Sequence, residues 1–278
     1  MQPATPHPAG HPAGHPASRS RAADPAPGQP PRAAPPQLVL VHSPLVGPAF
    51  WQPVAEALCN RGVRAHAPRL PSLEYSYAPY WLAHAAGIAS TLPEDAELVL
   101  VGHGAAGLLL PAIGRLQRNR RASARIAGYL FVDCDLPRDG ASRLDLWDDQ
   151  AAAQRLRERV GAGMLPRWRE DDLRALLPDA AQRAAFVAAL PGVPMHMYDE
   201  PVMVPDDWPE ARCGYLGLSD QYRGAQARAH ALGWPRRQLA LHHLAPLTHV
   251  DAIAGALVEL CREIGGEASG EIDGEFVA

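Results

Sequence analysis

A glycine-rich turn near the middle of the chain carries the clearest chemical signal in the sequence. The segment LVLVGHGAAGLLL, residues 98–110, joins an apolar run typical of a buried strand directly to a helical pattern. In the nucleophile-elbow pattern G-x-S-x-G, such a turn projects a serine over the edge of a sheet. Here the serine position is Gly104, which has no side chain. Covalent acyl transfer needs a side-chain nucleophile beside a base, so the sequence predicts that ordinary serine-based hydrolysis is absent.

The same glycines also fit a nucleotide-binding pattern. Gly102, Gly104 and Gly107 match GxGxxG, the phosphate-binding turn of dinucleotide-binding proteins. In those proteins the turn follows the first strand, and an acidic residue follows about 20 residues later. Here the turn follows the third predicted strand, and the next strand begins only at residue 126. We therefore expect no nucleotide cofactor.

Six short apolar runs must position these residues, and they alternate with helical patterns. The predicted strands are 37–42, 63–67, 97–102, 126–133, 214–219 and 237–242. This alternation predicts an α/β fold with a doubly wound, mostly parallel sheet. Ligands of such sheets bind beyond the carboxyl ends of the strands. The residues predicted at those ends are His42, Gly102, Asp133, Ser219, Asp220 and the segment after Leu244.

Composition divides the chain into three parts. Residues 1–36 are rich in proline and alanine and are predicted to be a disordered tail. Residues 37–264 are predicted to form one folded domain. Residues 265–278 are rich in glycine and glutamate and are predicted to be a flexible acidic tail.

Several classes of protein are excluded by composition. The 278 residues are 47% hydrophobic and 20% charged, which is typical of a globular protein. The net charge of −4, without a basic patch, predicts no binding to nucleic acid or to an anionic membrane. All 26 basic residues are arginine, so chemistry that needs a lysine amine is excluded. The sequence has neither a membrane-length apolar run nor a CxxC pair, so we expect a cytoplasmic protein with free thiols and no metal.

Three segments, in order along the chain, resemble parts of the α/β-hydrolase family. HSPLVGPAFW (42–51) resembles the loop after an early strand, VGHGAAG (101–107) resembles VGHSxGG, and LAPLTHVDAIAGALVEL (244–260) resembles the catalytic-histidine loop with the last helix. The resemblance covers nearly all of residues 37–264 and extends to a small bacterial esterase-like branch. It implies an α/β-hydrolase fold, with a helical lid over the site at about 136–208.

The resemblance assigns His249 as the catalytic histidine. An acidic residue after a strand would orient it, and two candidates stay open, Asp220 and Asp133. His242 and His243 are adjacent, so they are expected to face opposite sides of a strand end, which argues against a shared site.

The resemblance also suggests which groups hold a substrate oxygen. The backbone N–H of Ala105 can donate to an oxyanion. Pro44 has no N–H, so a second donor comes from Leu45 or from Ser43, or is absent. Ser43 either holds a substrate oxygen or satisfies the backbone of its loop. His103 precedes the elbow position and is expected to pack beside the site.

Together these features predict an atypical enzyme without a covalent step. His249 would act as a general base on a water or directly on a small-molecule substrate, in a hydrolysis, lyase or cyclisation step. The alternative is a non-catalytic protein that keeps the pocket and lid to bind a ligand or partner. Methionine and aromatic residues in 136–208 favour an apolar small molecule, and no cofactor is predicted.

Overall fold

The computed structural model describes residues 35–73, 77–120 and 124–265. Over these ranges the chain forms a six-stranded, all-parallel sheet in the order β2-β1-β3-β4-β5-β6. The predicted α/β fold with a doubly wound parallel sheet is therefore confirmed. Most of the two predicted tails, residues 1–34 and 266–278, lies outside the described residues.

The elements follow one another as strand and helix along the chain. The strands are β1 Gln37–Val41, β2 Ala65–His66, β3 Glu97–Gly104, β4 Arg125–Cys134, β5 Arg212–Gly217 and β6 Arg236–Gln238. The helices are α1 Gln52–Asn60, α2 Tyr80–Thr91, α3 Leu110–Arg120, α4 Gln150–Val160, α5 Glu170–Leu173, α6 Ala180–Ala188, α7 Met195–Asp199, α8 Arg223–Ala231 and α9 Val250–Gly265.

The sheet is buried on both faces because its strands are apolar at successive positions. In β3, Leu98 and Leu100 pack into the core under α2 and α3. Val99 and Val101 point the other way, into the core under α1 and α9. Successive side chains of a strand face opposite sides, so a continuous apolar run needs helices on both faces.

The carboxyl ends of four neighbouring strands meet at one edge of the sheet. Val41 of β1 pairs with Gly102 of β3, and Gly104 pairs with Cys134 of β4. Val132 of β4 pairs with Leu216 of β5. The loops that follow these strands are consequently brought together, as the parallel topology predicts.

Two predicted strands are shorter in the structure. Predicted strand 63–67 is reduced to Ala65–His66, and 237–242 is reduced to Arg236–Gln238. The last pair between β5 and β6 is Gly217 with Gln238, and β6 is the edge strand of the sheet. After that pair the N–H groups of Leu239 and Leu241 still donate to the carbonyls of Gly217 and Leu218, so the chain stays beside the end of β5 without continuing as a strand.

The segment 136–208 inserts mostly helical structure between β4 and β5. It contains a short 3₁₀ helix, Leu144–Leu146, and the helices α4 to α7. Its two ends are joined by an antiparallel bridge between Ala141 and Val202. The prediction that this segment is helical agrees with the structure.

Candidate active site

The turn at Gly104 has the backbone of a sharp strand-to-helix elbow. Gly104 has φ 59° and ψ −128°, a conformation that favours glycine, and the helical turn Ala105–Leu109 starts at the next residue. Close packing explains a second glycine, because a Cβ at Gly107 would lie 2.4 Å from the carbonyl oxygen of Asp135. The elbow geometry is thus retained although the side chain of a nucleophile is missing.

A histidine–carboxylate pair lies directly beside this turn. Nδ1 of His243 donates a hydrogen bond to Oδ2 of Asp133 over 2.8 Å. A carboxylate can only accept, so Nδ1 carries the proton. A Cβ at Gly104 would lie 3.4 Å from Nε2 of the same ring, so Nε2 faces the elbow. This is the orientation that a general base or acid needs.

Asp133 is fully buried and is held by several donors. Its Oδ1 accepts from the backbone N–H groups of Leu218 and Ser219, and its Oδ2 also accepts from the Ser219 hydroxyl over 2.7 Å. Burial alone would raise the pKa of Asp133, but the hydrogen bond and charge of His243 and these donors together lower it. The backbone at Asp133 has φ 43°, which is uncommon outside glycine and marks a constrained position.

This geometry corrects the assignment of His249. His249 is exposed, and its Nδ1 hydrogen bonds to Oγ1 of the neighbouring Thr248. His243 occupies the position that was expected for it. Strand alternation was expected to place His242 and His243 on opposite sides of a strand end, but the strand ends at Gln238, so alternation does not apply at residue 243. The signal available in the sequence was a second histidine in the loop between the last strand and the last helix.

The two acidic candidates are also separated by the structure. Asp133 contacts His243, whereas the side chain of Asp220 is 87% exposed and pairs with Arg223 at 3.1 Å. Asp220 therefore belongs to a solvent-exposed pair three residues apart. The hydroxyl of Ser219, one residue earlier, is the group after β5 that reaches the site.

His103 packs against the ring of His243. The two ring centroids are 4.2 Å apart, and Nε2 of His103 donates to the backbone carbonyl of His243 over 2.9 Å. Burial, followed by the charge of His243, holds the pKa of His103 well below its usual value, so its ring is neutral. The ring contact and the hydrogen bond from His103 therefore hold His243 in position.

The loop after β1 places Ser43 opposite the elbow. A Cβ at Gly104 would lie 3.4 Å from Oγ of Ser43. The N–H of Leu45 points to that same Oγ over a long 3.4 Å, so it is directed at the serine and not into the site. Ala105 is buried at the start of its helical turn, where backbone N–H groups lack partners within the helix. Ser43 and Ala105 are thus the expected oxygen-binding groups that adjoin Gly104.

Cys134 has a thiol near the elbow but lacks the properties of an activated nucleophile. It is fully buried, and burial raises its pKa well above the usual value. The adjacent carboxylates of Asp135 and Asp133 raise it further. The thiol therefore stays protonated.

A cleft of about 740 Å³ is lined by Arg143 and Tyr222 but not by Gly104, Ser43 or His243, and the sequence did not indicate Arg143. Arg143 is only 6% exposed, lies 3.2 Å from Asp135 and donates to the hydroxyl of Tyr222. The ring of Tyr222 stacks on His243 at 5.3 Å. Of the aromatic and methionine residues predicted for the lid, Trp147 lines this cleft, whereas Met195, Met197 and Tyr198 are buried in the core.

The described residues contain neither a metal-binding cluster nor a membrane-spanning helix. In residues 35–73, 77–120 and 124–265, no group of three or more His, Cys, Asp or Glu side chains is arranged to hold a metal ion. No helix in that part of the chain is long and apolar enough to cross a membrane.

Comparison with known families identifies the fold. The model of the α/β-hydrolase family matches residues 38–256, most of the chain. The chain therefore belongs to the α/β-hydrolase family. Among curated proteins, none matches the sequence significantly.

Solved structures give the same fold at low sequence identity. One similar structure is an extracellular α/β-hydrolase from a Paenibacillus species, which is described as sharing structural and functional homology with tobacco Salicylic Acid Binding Protein 2. Its sequence is 18% identical, the match covers 84% of this chain and 100% of that chain, and the TM-score is 0.62. Tomato methylketone synthase I with 2-tridecanone is 12% identical, with coverage of 83% and 99% and a TM-score of 0.65. A histidine-to-alanine variant of that tomato enzyme with β-ketoheptanoate is 11% identical, with the same coverage and TM-score. At these identities the likeness shows the fold alone.

Proposed function

We propose that this protein is an enzyme that performs general acid–base catalysis without a covalent intermediate. The observation that carries the proposal is the position of His243. Its Nδ1 is bonded to Asp133, and its Nε2 lies 3.4 Å from where a Cβ at Gly104 would be, a point at which the chain has no nucleophilic atom. An oriented imidazole without a nucleophile to activate can still move a proton to or from a bound substrate.

The substrate class that this arrangement suits is a carbonyl compound that passes through an enolate. The tomato enzyme of the same fold was solved with 2-tridecanone, a methyl ketone, and its variant was solved with β-ketoheptanoate, a β-keto acid. A methyl ketone is what remains of a β-keto acid after loss of carbon dioxide. We therefore propose a lyase step, the decarboxylation of a β-keto acid.

The proposed step balances with one proton taken up. The bond between the α-carbon and the carboxylate breaks, carbon dioxide leaves, and the electron pair forms the enolate. The N–H of Ala105 and the hydroxyl of Ser43 stabilise the developing charge on the oxygen. The imidazolium of His243 then donates the proton on Nε2 to the α-carbon, and solvent restores that proton. The carboxylate of Asp133 stabilises the imidazolium throughout.

The test measures carbon dioxide release from a medium-chain β-keto acid, corrected for the uncatalysed rate. His243→Ala should lower the catalysed rate by about 10²- to 10⁴-fold, because proton transfer contributes this much. The matched control, His249→Ala, should keep activity within a few-fold, because that ring is exposed and bonded to Thr248. Equal activity in wild type and His243→Ala would contradict the mechanism.

A non-catalytic ligand-binding protein is the second candidate. The observation that favours it is Pro44, because the loop opposite the elbow lacks one backbone donor that could stabilise an oxyanion. Binding of a β-keto acid without turnover by wild type would support this alternative. An apolar small-molecule ligand and a cytoplasmic location stay predictions in both cases.

A further inference from the structure

Tyr198 is a buried phenol that the proposed mechanism does not use. It lies in α7 and is 1% exposed. Its ring stacks on Trp81 at 6.2 Å, and the guanidinium of Arg143 lies 4.6 Å from its centre. The side chain is therefore held rigidly by an aromatic ring and a cation.

The hydroxyl of Tyr198 has no aligned hydrogen-bond partner in the described part of the chain. The Ser43 hydroxyl is the side-chain group positioned to interact with it. Buried polar groups are almost always hydrogen bonded, and an exception calls for a reason such as a missing ligand. The Tyr198 hydroxyl is one of thirteen such buried atoms in the described residues, and it adjoins Ser43.

The Ser43 hydroxyl also lies beside the elbow. Its Oγ accepts from the backbone N–H of Leu45, and the hydroxyl of Tyr198 is its neighbouring side-chain partner. The same Oγ lies 3.4 Å from the position of a Cβ at Gly104. The hydroxyls of Ser43 and Tyr198 can bond to each other, and one such bond leaves one of their two protons free to donate beside the elbow, where Pro44 lacks a backbone N–H.

We propose that Tyr198 and Ser43 together bind the carbonyl oxygen of a ketone or β-keto acid and stabilise it as an enolate. Their hydroxyls take the place of the backbone donor that Pro44 lacks. This inference rests on the proposed function for its substrate class. It adds a lid residue to the oxygen-binding site and makes Tyr198 a catalytic residue.

The surroundings of Tyr198 keep it a donor. Burial raises the pKa of Tyr198, which favours the neutral phenol. The nearby positive charge of Arg143 lowers that pKa, although burial dominates. A neutral phenol next to a cation has a polarised O–H bond and is a stronger hydrogen-bond donor.

Infrared spectroscopy of a bound ketone tests this assignment without turnover. The probe is 2-tridecanone with carbon-13 at the carbonyl, added to the full-length protein. In wild type the C=O stretch should shift to lower frequency than in hydrocarbon solvent, because two hydroxyls donate to the oxygen. In Tyr198→Phe the shift should be about half reversed, and the affinity should fall roughly 3- to 10-fold.

Tyr129→Phe is the matched control. Tyr129 is also a buried phenol, but its hydroxyl bonds to Glu210, away from the site. Its loss should leave the ketone band unchanged and lower the melting temperature. Tyr198→Phe should melt at or above wild type, because its hydroxyl has no aligned partner to lose.

The outcomes separate this inference from the proposed function. An identical band position in wild type and Tyr198→Phe, or no ketone binding by wild type, would overturn the role of Tyr198 even if decarboxylation depends on His243. A band that depends on Tyr198 in a protein without decarboxylation would support the oxygen-binding site and reject the proposed reaction.

Discussion

Glycine at position 104 keeps the backbone of a nucleophile turn while it lacks the reactive atom. The φ of 59° is the conformation of an elbow, and the neighbouring pair of Asp133 and His243 keeps its hydrogen bond. The sequence predicts a turn without a nucleophile and leaves Asp133 and Asp220 open as the acid, and of these two Asp133 is the one bonded to His243. It was not sufficient to choose between His243 and His249. That choice depends on where β6 ends and how its loop folds, and a one-dimensional spacing does not contain this information.

Replacing each acidic residue with asparagine should show which of Asp133 and Asp220 supports catalysis. Asp133→Asn should lower β-keto acid turnover by about 10²- to 10⁴-fold, because an amide cannot stabilise the imidazolium. It should also destabilise the fold by about 1–3 kcal/mol, because the four donors on Leu218, Ser219 and His243 lose a charged acceptor. Asp220→Asn, at an exposed pair, should change stability by less than about 0.5 kcal/mol and leave turnover unchanged. Turnover and urea unfolding of both variants check this.

The strands and helices position Gly104, Asp133 and His243 through close packing of the backbone. All six strands were predicted from apolar runs, because a strand buried on both faces has a strong signal. The predicted strands were longer than β2 and β6, which lie at the two edges of the sheet and each pair with one neighbour. The insertion between β4 and β5 was predicted as helical, yet its buried Arg143 was not, since burial of a charge depends on partners from distant elements such as Tyr222.

A glycine substitution tests the packing between β4 and the turn after β3. A Cβ at Gly107 would lie 2.4 Å from the carbonyl oxygen of Asp135, and backbone there cannot move freely. Gly107→Ala should destabilise the protein by about 1–3 kcal/mol. In α9 the atom that a Cβ at Gly255 would meet is Nη1 of Arg61 at 3.6 Å, so Gly255→Ala should stabilise by up to about 1 kcal/mol. Equal thermal stability of the two variants would show that the turn is not packed as described.

At the scale of the whole molecule, several histidines are buried within the fold and stay neutral. Burial lowers the pKa of His84 to about 4, against the opposing hydrogen bond to the carbonyl of Pro71. Burial also lowers the pKa of His42 and of His103. The sequence contains twelve histidines, but composition does not show which of them are buried. The response of stability to acid therefore could not be predicted from the sequence.

The sign of that response follows from linkage. Between about pH 6.5 and pH 4 the unfolded chain binds a proton at His84 that the folded chain does not, so stability falls as pH decreases through this window. His84 contributes on the order of 3 kcal/mol to this loss of folding stability. His84→Gln should reduce the loss of stability between about pH 7 and about pH 5, measured by urea unfolding. His230→Gln, at an exposed position, should leave the pH dependence unchanged.

We propose that Asp133 and His243 act as a catalytic pair facing Gly104, and reactivity with a fluorophosphonate probe tests this pairing. Wild type should not be labelled, because it has no side chain at the elbow. Gly104→Ser should be labelled, although the positive φ and the contact with Ser43 should cost about 1–3 kcal/mol of stability. In that background His243→Ala should abolish labelling, and His249→Ala should preserve it. Labelling that survives His243→Ala, or that is lost with His249→Ala in a folded protein, would contradict the account.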